Sequence, residues 1–167
     1  MGEGGEDRLE GYTRAELVGV YEMVVKAGEF EQARAAVMLL KGEDWGDLVL
    51  PIFIGEAEAR AIARALYGVP TQRPMTHDLI VNILGALGVR VERVTIDAMV
   101  NSVYMATITL VQEGEGSRVR RHYVDARPSD SVAIALRVGA PIYVNENLKQ
   151  YAQSERGFEK LRNLYEP

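Results

Sequence analysis

Apolar and polar positions change period several times along the chain, and each change marks an element. The run Leu17-Val18-Gly19-Val20-Tyr21-Glu22-Met23-Val24-Val25, inside residues 15–27, is rich in β-branched residues and predicts a strand. Ala33–Leu40 and Leu48–Ile54 predict two more, and the turn cluster Gly42–Asp47 between them predicts a hairpin. Glu56–Tyr67 is rich in Ala with Glu and Arg interspersed, a helix stopped by Gly68 and Pro70. In Thr76–Leu87 the residues Leu79, Ile80, Ile83, Leu84 and Leu87 recur at helical spacing, which predicts a second helix with one buried face, ended by Gly88. Long strands follow at about Arg90–Met99 and Ser102–Gln112, and Gly114-Glu115-Gly116 tips a hairpin whose return strand is Arg118–Val124. A third helix over about Ser129–Val138 stops at Gly139, and Pro141–Val144 makes a short strand. Asn145 or Asn147 caps a short helix through Gln150, and Ser154–Leu164 has the pattern of an amphipathic terminal helix.

This order is too irregular in its helix–strand alternation for a doubly wound sheet. It predicts an α+β fold: a mixed, largely antiparallel sheet with about three core helices and a C-terminal helix, in a single domain. The boundaries fall as a flexible Gly- and Glu-rich leader (1–12), a domain (13–152) and a helical tail (153–167). Composition narrows the class further. Hydrophobic residues at 47% and charged residues at 26% are those of a soluble globular domain. No apolar run approaches the roughly 18 residues of a membrane span, and no basic-then-apolar leader predicts a signal peptide. The absence of Cys excludes disulfides, thiolate chemistry and zinc sites built on Cys, so a cytoplasmic location is expected. A net charge of −5 argues against broad electrostatic adhesion to nucleic acid but leaves room for a local basic patch. Lysine is confined to Lys26, Lys41, Lys149 and Lys160, so Arg supplies most of the positive charge.

One phrase occurs twice: Arg-Pro, then a hydroxyl residue and Asp, then an apolar helix. The first copy is Arg73-Pro74-Met75-Thr76-His77-Asp78, the second Arg127-Pro128-Ser129-Asp130 after Asp125-Ala126. Each gathers a guanidinium, a carboxylate and helix N-terminal amides, a combination that attracts anions. If the two ends share a groove, they make a site for a phosphorylated substrate.

These phrases, with Leu50-Pro51-Ile52-Phe53-Ile54-Gly55-Glu56-Ala57, Ser131-Val132-Ala133-Ile134-Ala135-Leu136 and Gly139-Ala140-Pro141-Ile142-Tyr143-Val144, resemble the bifunctional nuclease domain family over roughly residues 15–150. Phe53 stands where Trp is expected in that family, and the Gly/Glu-rich leader is longer than expected. The resemblance implies an α+β domain, a homo-oligomer, and cleavage of both DNA and RNA.

A phosphodiesterase needs an activated water, positive charge on the phosphate and help for the leaving oxygen. Asp78, Asp125 and Asp130 are the carboxylates suited to Mg²⁺ or Mn²⁺. His77, with Asp78 and Asp130, is the catalytic candidate, as general base or leaving-group acid. Arg73 and Arg127 would clamp phosphate, with Thr76 and Ser129 beside them. Glu56 and Glu58 are second-rank carboxylates. Each has a plainer role: Thr76 and Ser129 as helix caps, Asp78 and Asp130 as dipole partners, the two Arg as ion-pair staples, His77 as a structural histidine. Arg118, Arg120 and His122 on one strand face would track phosphates or protect a sheet edge. Tyr104 and Tyr123 would stack on bases or pack, and Trp45 would anchor an interface or cover the hairpin. No Lys-bearing Gly-rich phosphate loop, His-rich metal motif or Ser-His-Asp signature is present. Two functions therefore stay open: a metal-assisted nuclease, and a noncatalytic oligomeric module that binds a small anion or a protein partner. Leu17–Val25 and Ser102–Gln112 are apolar enough to serve as intersubunit sheet contacts.

Overall fold

The β-branched runs become eight strands and the Ala- and Leu-rich runs three α-helices in the computed structural model, which describes residues 8–26, 28–29, 32–116, 118–161 and 163. The strands are β1 (Tyr12–Lys26), β2 (Gln32–Gly42), β3 (Leu48–Ile54), β4 (Val89–Val100), β5 (Val103–Glu113), β6 (Val119–Ala126), β7 (Ile142–Asn145) and β8 (Gln153–Ser154). The helices are α1 (Glu56–Leu66), α2 (Thr76–Ala86) and α3 (Pro128–Val138), with 3-10 helices at Glu146–Tyr151 and Glu155–Phe158. They form one mixed sheet in the order β6-β5-β4-β7-β1-β2-β3-β8. β4 and β7 run parallel, with Val94 opposite Ile142, and the other neighbours are antiparallel. The α+β expectation holds.

Alternation along the strands divides the core. Met38, Leu40, Leu50, Ile52, Val94, Ile96, Ala106 and Ile108 face the helices and pack with Ala59 and Ile62 of α1 and Val132–Ala135 of α3. α3 is buried along most of its length and is the element on which α1 and α2 lean. On the other face Val37, Leu39 and Val49 lie under Tyr21, Met23, Phe158 and Leu161. The terminal helix expected over Ser154–Leu164 takes the form of the 3-10 helix Glu155–Phe158, with Gly157 inside it. Before it, Gln153 and Ser154 pair with Val49 and Leu48, and Glu155 meets Lys41 at 3.0 Å. Of the leader expected over 1–12, residues 1–7 lie outside the described residues, while the Gly11 carbonyl accepts from the Glu146 amide at 2.9 Å. Trp45 is buried over the β2–β3 hairpin, its ring against Gly42.

α2 departs from expectation. Its predicted buried face is largely in water: Leu79 is 52%, Ile83 49% and Leu87 66% exposed. Val81 instead turns towards the core, because α2 lies at the side of α3 and β4 rather than beneath them. Periodicity shows that a helix face is apolar; it does not say what covers that face. The strands proposed for intersubunit pairing are likewise interior: β1 lies between β7 and β2, and β5 between β4 and β6, so their ladders are filled within the chain.

Candidate functional site

The three α-helices begin alike. Their N-cap residues, Gly55, Met75 and Arg127, are extended, and the third helical residue of each is acidic: Glu58, Asp78 and Asp130. A carboxylate there complements the helix dipole and can reach back to the N-cap amide. Asp78 does so, accepting from the Met75 N–H at 2.9 Å. The Glu58 carboxylate folds back over Gly55, into the space a Cβ on that residue would need. Asp130 leaves its own helix end and turns to its neighbours. The capping role expected of Thr76 and Ser129 is therefore corrected: Thr76 is the first and Ser129 the second residue inside its helix, and neither side chain caps.

Arg127 and His77 tie these ends together. Arg127 grips Asp130 with two N–H groups, Nε to Oδ2 at 2.9 Å and Nη2 to Oδ1 at 3.2 Å, and its Nη1 donates to Glu58 Oε1 at 3.1 Å. His77 Nε2 lies 2.9 Å from Asp130 Oδ1, joining the first turn of α2 to that of α3. Beside them Arg137 donates from Nε to Asp78 Oδ1 at 2.6 Å and from Nη1 to the Ala133 carbonyl at 2.8 Å. The Arg127 side chain is 63% exposed and that of His77 only 12%. Burial pushes the Asp130 carboxyl up, but the hydrogen bonds from Arg127 and then His77 outweigh it and hold the group below its ordinary value. Asp78 is also held low, first by the Met75 amide and then by Arg137. Asp130, followed by Glu58, raises the Arg127 guanidinium further.

The fold thus brings His77, Arg127 and Asp130 together, and sets Asp78 beside them in a separate pair. It leaves two candidates apart. Arg73 lies in an exposed turn, and its side chain makes no hydrogen bond or ion pair among the described residues. Asp125 sits on β6 opposite Thr107, whose neighbours Ala106 and Ile108 face the helices; alternation points Asp125 to the opposite face. Among the described residues no three His, Asp or Glu side chains form a group that could hold a metal. Asp78 and Asp130 have no carboxylate oxygen to spare: Met75 and Arg137 take those of Asp78, Arg127 and His77 those of Asp130. The donor set expected for Mg²⁺ or Mn²⁺ does not fit such an ion without displacing a guanidinium. Arg137 went unread in the sequence because its partner lies on another helix. Glu58 carried a signal, a third copy of the acid three residues past an N-cap.

The basic strand β6 is the edge of the sheet, as edge protection requires, and Arg121 meets Glu92 at 3.2 Å. Tyr123 is exposed, whereas Tyr104 packs edge-on against Tyr151, with ring centroids 6.5 Å apart. No helix among the described residues is long and apolar enough to cross a membrane.

Comparison with known proteins gives this geometry a setting. A model of the bifunctional nuclease domain matches residues 38–156. An uncharacterized protein of Mycobacterium tuberculosis is 46% identical over 116 residues, covering 70% of this chain and 66% of that protein. Bifunctional nuclease 1 of Oryza sativa subsp. japonica is 31% identical over 111 residues, covering 66% of this chain and 33% of the rice protein. Bifunctional nuclease 2 of Arabidopsis thaliana is 31% identical over 113 residues, covering 68% and 34%. The chain therefore spans about two thirds of the mycobacterial relative and about a third of the plant ones. The chain belongs to the bifunctional nuclease domain family.

Proposed function

We propose that this protein hydrolyses phosphodiester bonds of DNA and RNA, with His77 and Asp130 as the acid–base pair and Arg127 as the phosphate anchor. The observation that carries the reading is the 2.9 Å contact between His77 Nε2 and Asp130 Oδ1. An Asp on one imidazole nitrogen fixes the proton there and leaves the other nitrogen with its lone pair. Nδ1 has no hydrogen-bond partner among the described residues and is the atom assigned to proton removal. It takes the proton of an attacking water, or of an RNA 2′-hydroxyl, as that oxygen bonds to phosphorus; Asp130 balances the imidazolium. As the bond from phosphorus to the leaving oxygen breaks, the imidazolium returns its proton to that oxygen. The N–H groups of Arg127 not spent on Asp130 or Glu58, with the first-turn amides of α3, face the charge that grows on the phosphate. Arg73, exposed and uncommitted, and Thr76 at the start of α2 extend the anionic contact. Asp78 positions rather than reacts: it caps the helix that carries His77 and holds Arg137. The working form is a cytoplasmic homo-oligomer assembled through the exposed apolar face of α2.

One observation favours the second reading, a noncatalytic module for an anion or a protein. Three carboxylates, Glu58, Asp78 and Asp130, meet two guanidiniums, Arg127 and Arg137, so the cluster is already near charge balance. Cleavage of labelled single-stranded RNA and DNA by purified wild type, His77→Ala and Asp130→Asn, with equal folding checked by circular dichroism, separates the two. His77→Ala is expected to lose about 100-fold or more in rate, and wild-type activity is expected to persist in EDTA. Equal cleavage by all three proteins overturns the site assignment. No cleavage with any added metal supports the binding module.

A further inference from the structure

We propose that the cleft beside Arg127 is a nucleobase-binding subsite that selects single-stranded nucleic acid; the inference rests on the phosphodiesterase reading of Arg127. The cleft, about 460 Å³, lies where the end of β3 (Ile52–Gly55) meets the β4–β5 turn (Ser102–Tyr104) and the start of α3 (Arg127–Ser129). That volume suits a single small ring system with its substituents, not a stacked duplex.

Four features of the wall fit a base. Phe53 is 62% exposed, although Pro51 and Ile52 before it are buried, so the chain keeps a bare aromatic ring in water at the mouth of the cleft. Tyr104 stands on the wall formed by the β4–β5 turn, its ring fixed edge-on by Tyr151 at an interplanar angle of 88°. The turn that presents it is tight and preset: Asn101 and Ser102 both take the left-handed conformation, φ 51° and 63°, the arrangement of a type I′ hairpin. Finally, Ser129 is only 5% exposed, yet its hydroxyl makes no hydrogen bond among the described residues. No buried side-chain oxygen or nitrogen among the described residues lacks a partner, so the Ser129 Oγ reaches the cleft it lines. It is placed to bond a polar edge of a base or a sugar hydroxyl.

Arg127 lines the same cleft and also grips the catalytic carboxylate. A phosphate held at its outer N–H groups would lead the attached nucleoside into the cleft, where the base face meets Phe53. Aromatic stacking of this kind tolerates any base but requires an unstacked one, as single strands supply. Duplex ends and paired regions would not enter.

The test is binding, read by fluorescence anisotropy in EDTA on the full chain with two probes of equal charge: labelled single-stranded decathymidylate and the same decamer with every base replaced by an abasic site. Wild type should bind decathymidylate more tightly than the abasic strand. Phe53→Ala, a change at an exposed position, should weaken decathymidylate binding by roughly 5- to 100-fold and leave the abasic strand unchanged. Phe53→Trp should restore affinity and show quenching of the new Trp emission as the oligonucleotide is added. Equal affinities for the two probes, unchanged affinity in Phe53→Ala, or no binding of either probe overturns the subsite. Its failure is separable from that of the nuclease reading. Cleavage that depends on His77 with no effect of Phe53 sinks the subsite alone, whereas Phe53-dependent binding without cleavage sinks hydrolysis alone.

Discussion

A carboxylate three residues past a helix N-cap has two places to go: back to the N-cap amide, or outward to a neighbour. Asp78 and Asp130 occupy this position on α2 and α3 and divide the choices between them. Asp78 closes on the Met75 amide and on the well-buried Arg137, which gives it a structural duty. Its replacement by Ala would remove a cap and leave Arg137 without its carboxylate, a loss of about 1–3 kcal/mol at neutral pH. The sign of the pH dependence follows from the lowered carboxyl of the folded state. Such a group contributes its full stability above the ordinary value of 3.8, and the contribution disappears as pH falls through the lower folded-state value. Urea denaturation of wild type and Asp78→Ala should therefore show a gap at neutral pH that narrows in acid. A gap that stays constant down to strongly acidic pH would show that the carboxylate charge is not what matters. Asp130 spends its oxygens on His77 and Arg127 instead, and so remains the carboxylate available for chemistry.

At the level of elements, local pattern and tertiary placement separate cleanly. Strands β1–β6 and helices α1–α3 begin and end close to the limits read from alternation, helical spacing and Gly or Pro stops, because those signals are local. The insertion of β7 between β4 and β1 has no local signal: Ile142–Asn145 shows only that a short apolar strand exists, and its partners lie about 50 and 130 residues away. The site divides the same way. The Arg-Pro phrases were visible, and with them His77, Arg127 and Asp130, since they repeat within one helical turn. Their contact was not, nor was the pairing of Arg137 with Asp78, because both depend on how α2 crosses α3. Bulges escape the pattern too. Asp97 stands out of register between Ile96 and Ala98, which turns it to accept from Tyr12 at 2.8 Å and Thr107 at 2.6 Å; burial and this bond push the Tyr12 phenol up to about 12. Glycine at 42 has a readable reason once the hairpin is closed. A Cβ there would come within 2.8 Å of the Trp45 ring and of Thr13 Cγ2. Gly42→Ala is expected to cost about 1–3 kcal/mol, seen as a lower urea midpoint with an unchanged slope. A neutral substitution would mean that Trp45 can leave its place over the hairpin.

For the whole molecule, the unusual surface is α2 rather than the basic edge. β6 carries Arg118, Arg120 and Arg121 at or beside a sheet edge, where positive charge discourages strand addition. After Asp78, by contrast, α2 has no charged residue, and it exposes Leu79, Ile83 and Leu87 in one stripe with Gly85 and Ala86 beside them. A solvated helix carries charge on its outer face. An uncharged stripe flanked by small residues instead suits close packing against the same stripe of a second copy across a twofold axis. An axis near Ile83 would join the C-terminal halves of two α2 helices and leave His77, at the other end, open to substrate. Light scattering during size-exclusion chromatography should then give at least twice the 18.5 kDa of one chain. Leu79→Glu with Ile83→Glu should reduce the mass to that of a monomer, because two like charges per copy would face each other in a buried contact. Both positions are exposed in the single chain, so the variant should keep its fold, which circular dichroism checks. A wild type that is monomeric, or an assembly that survives both glutamates, would move the contact away from α2. If the assembly dissolves while cleavage persists, the site is complete within one chain, as the residues that form it predict.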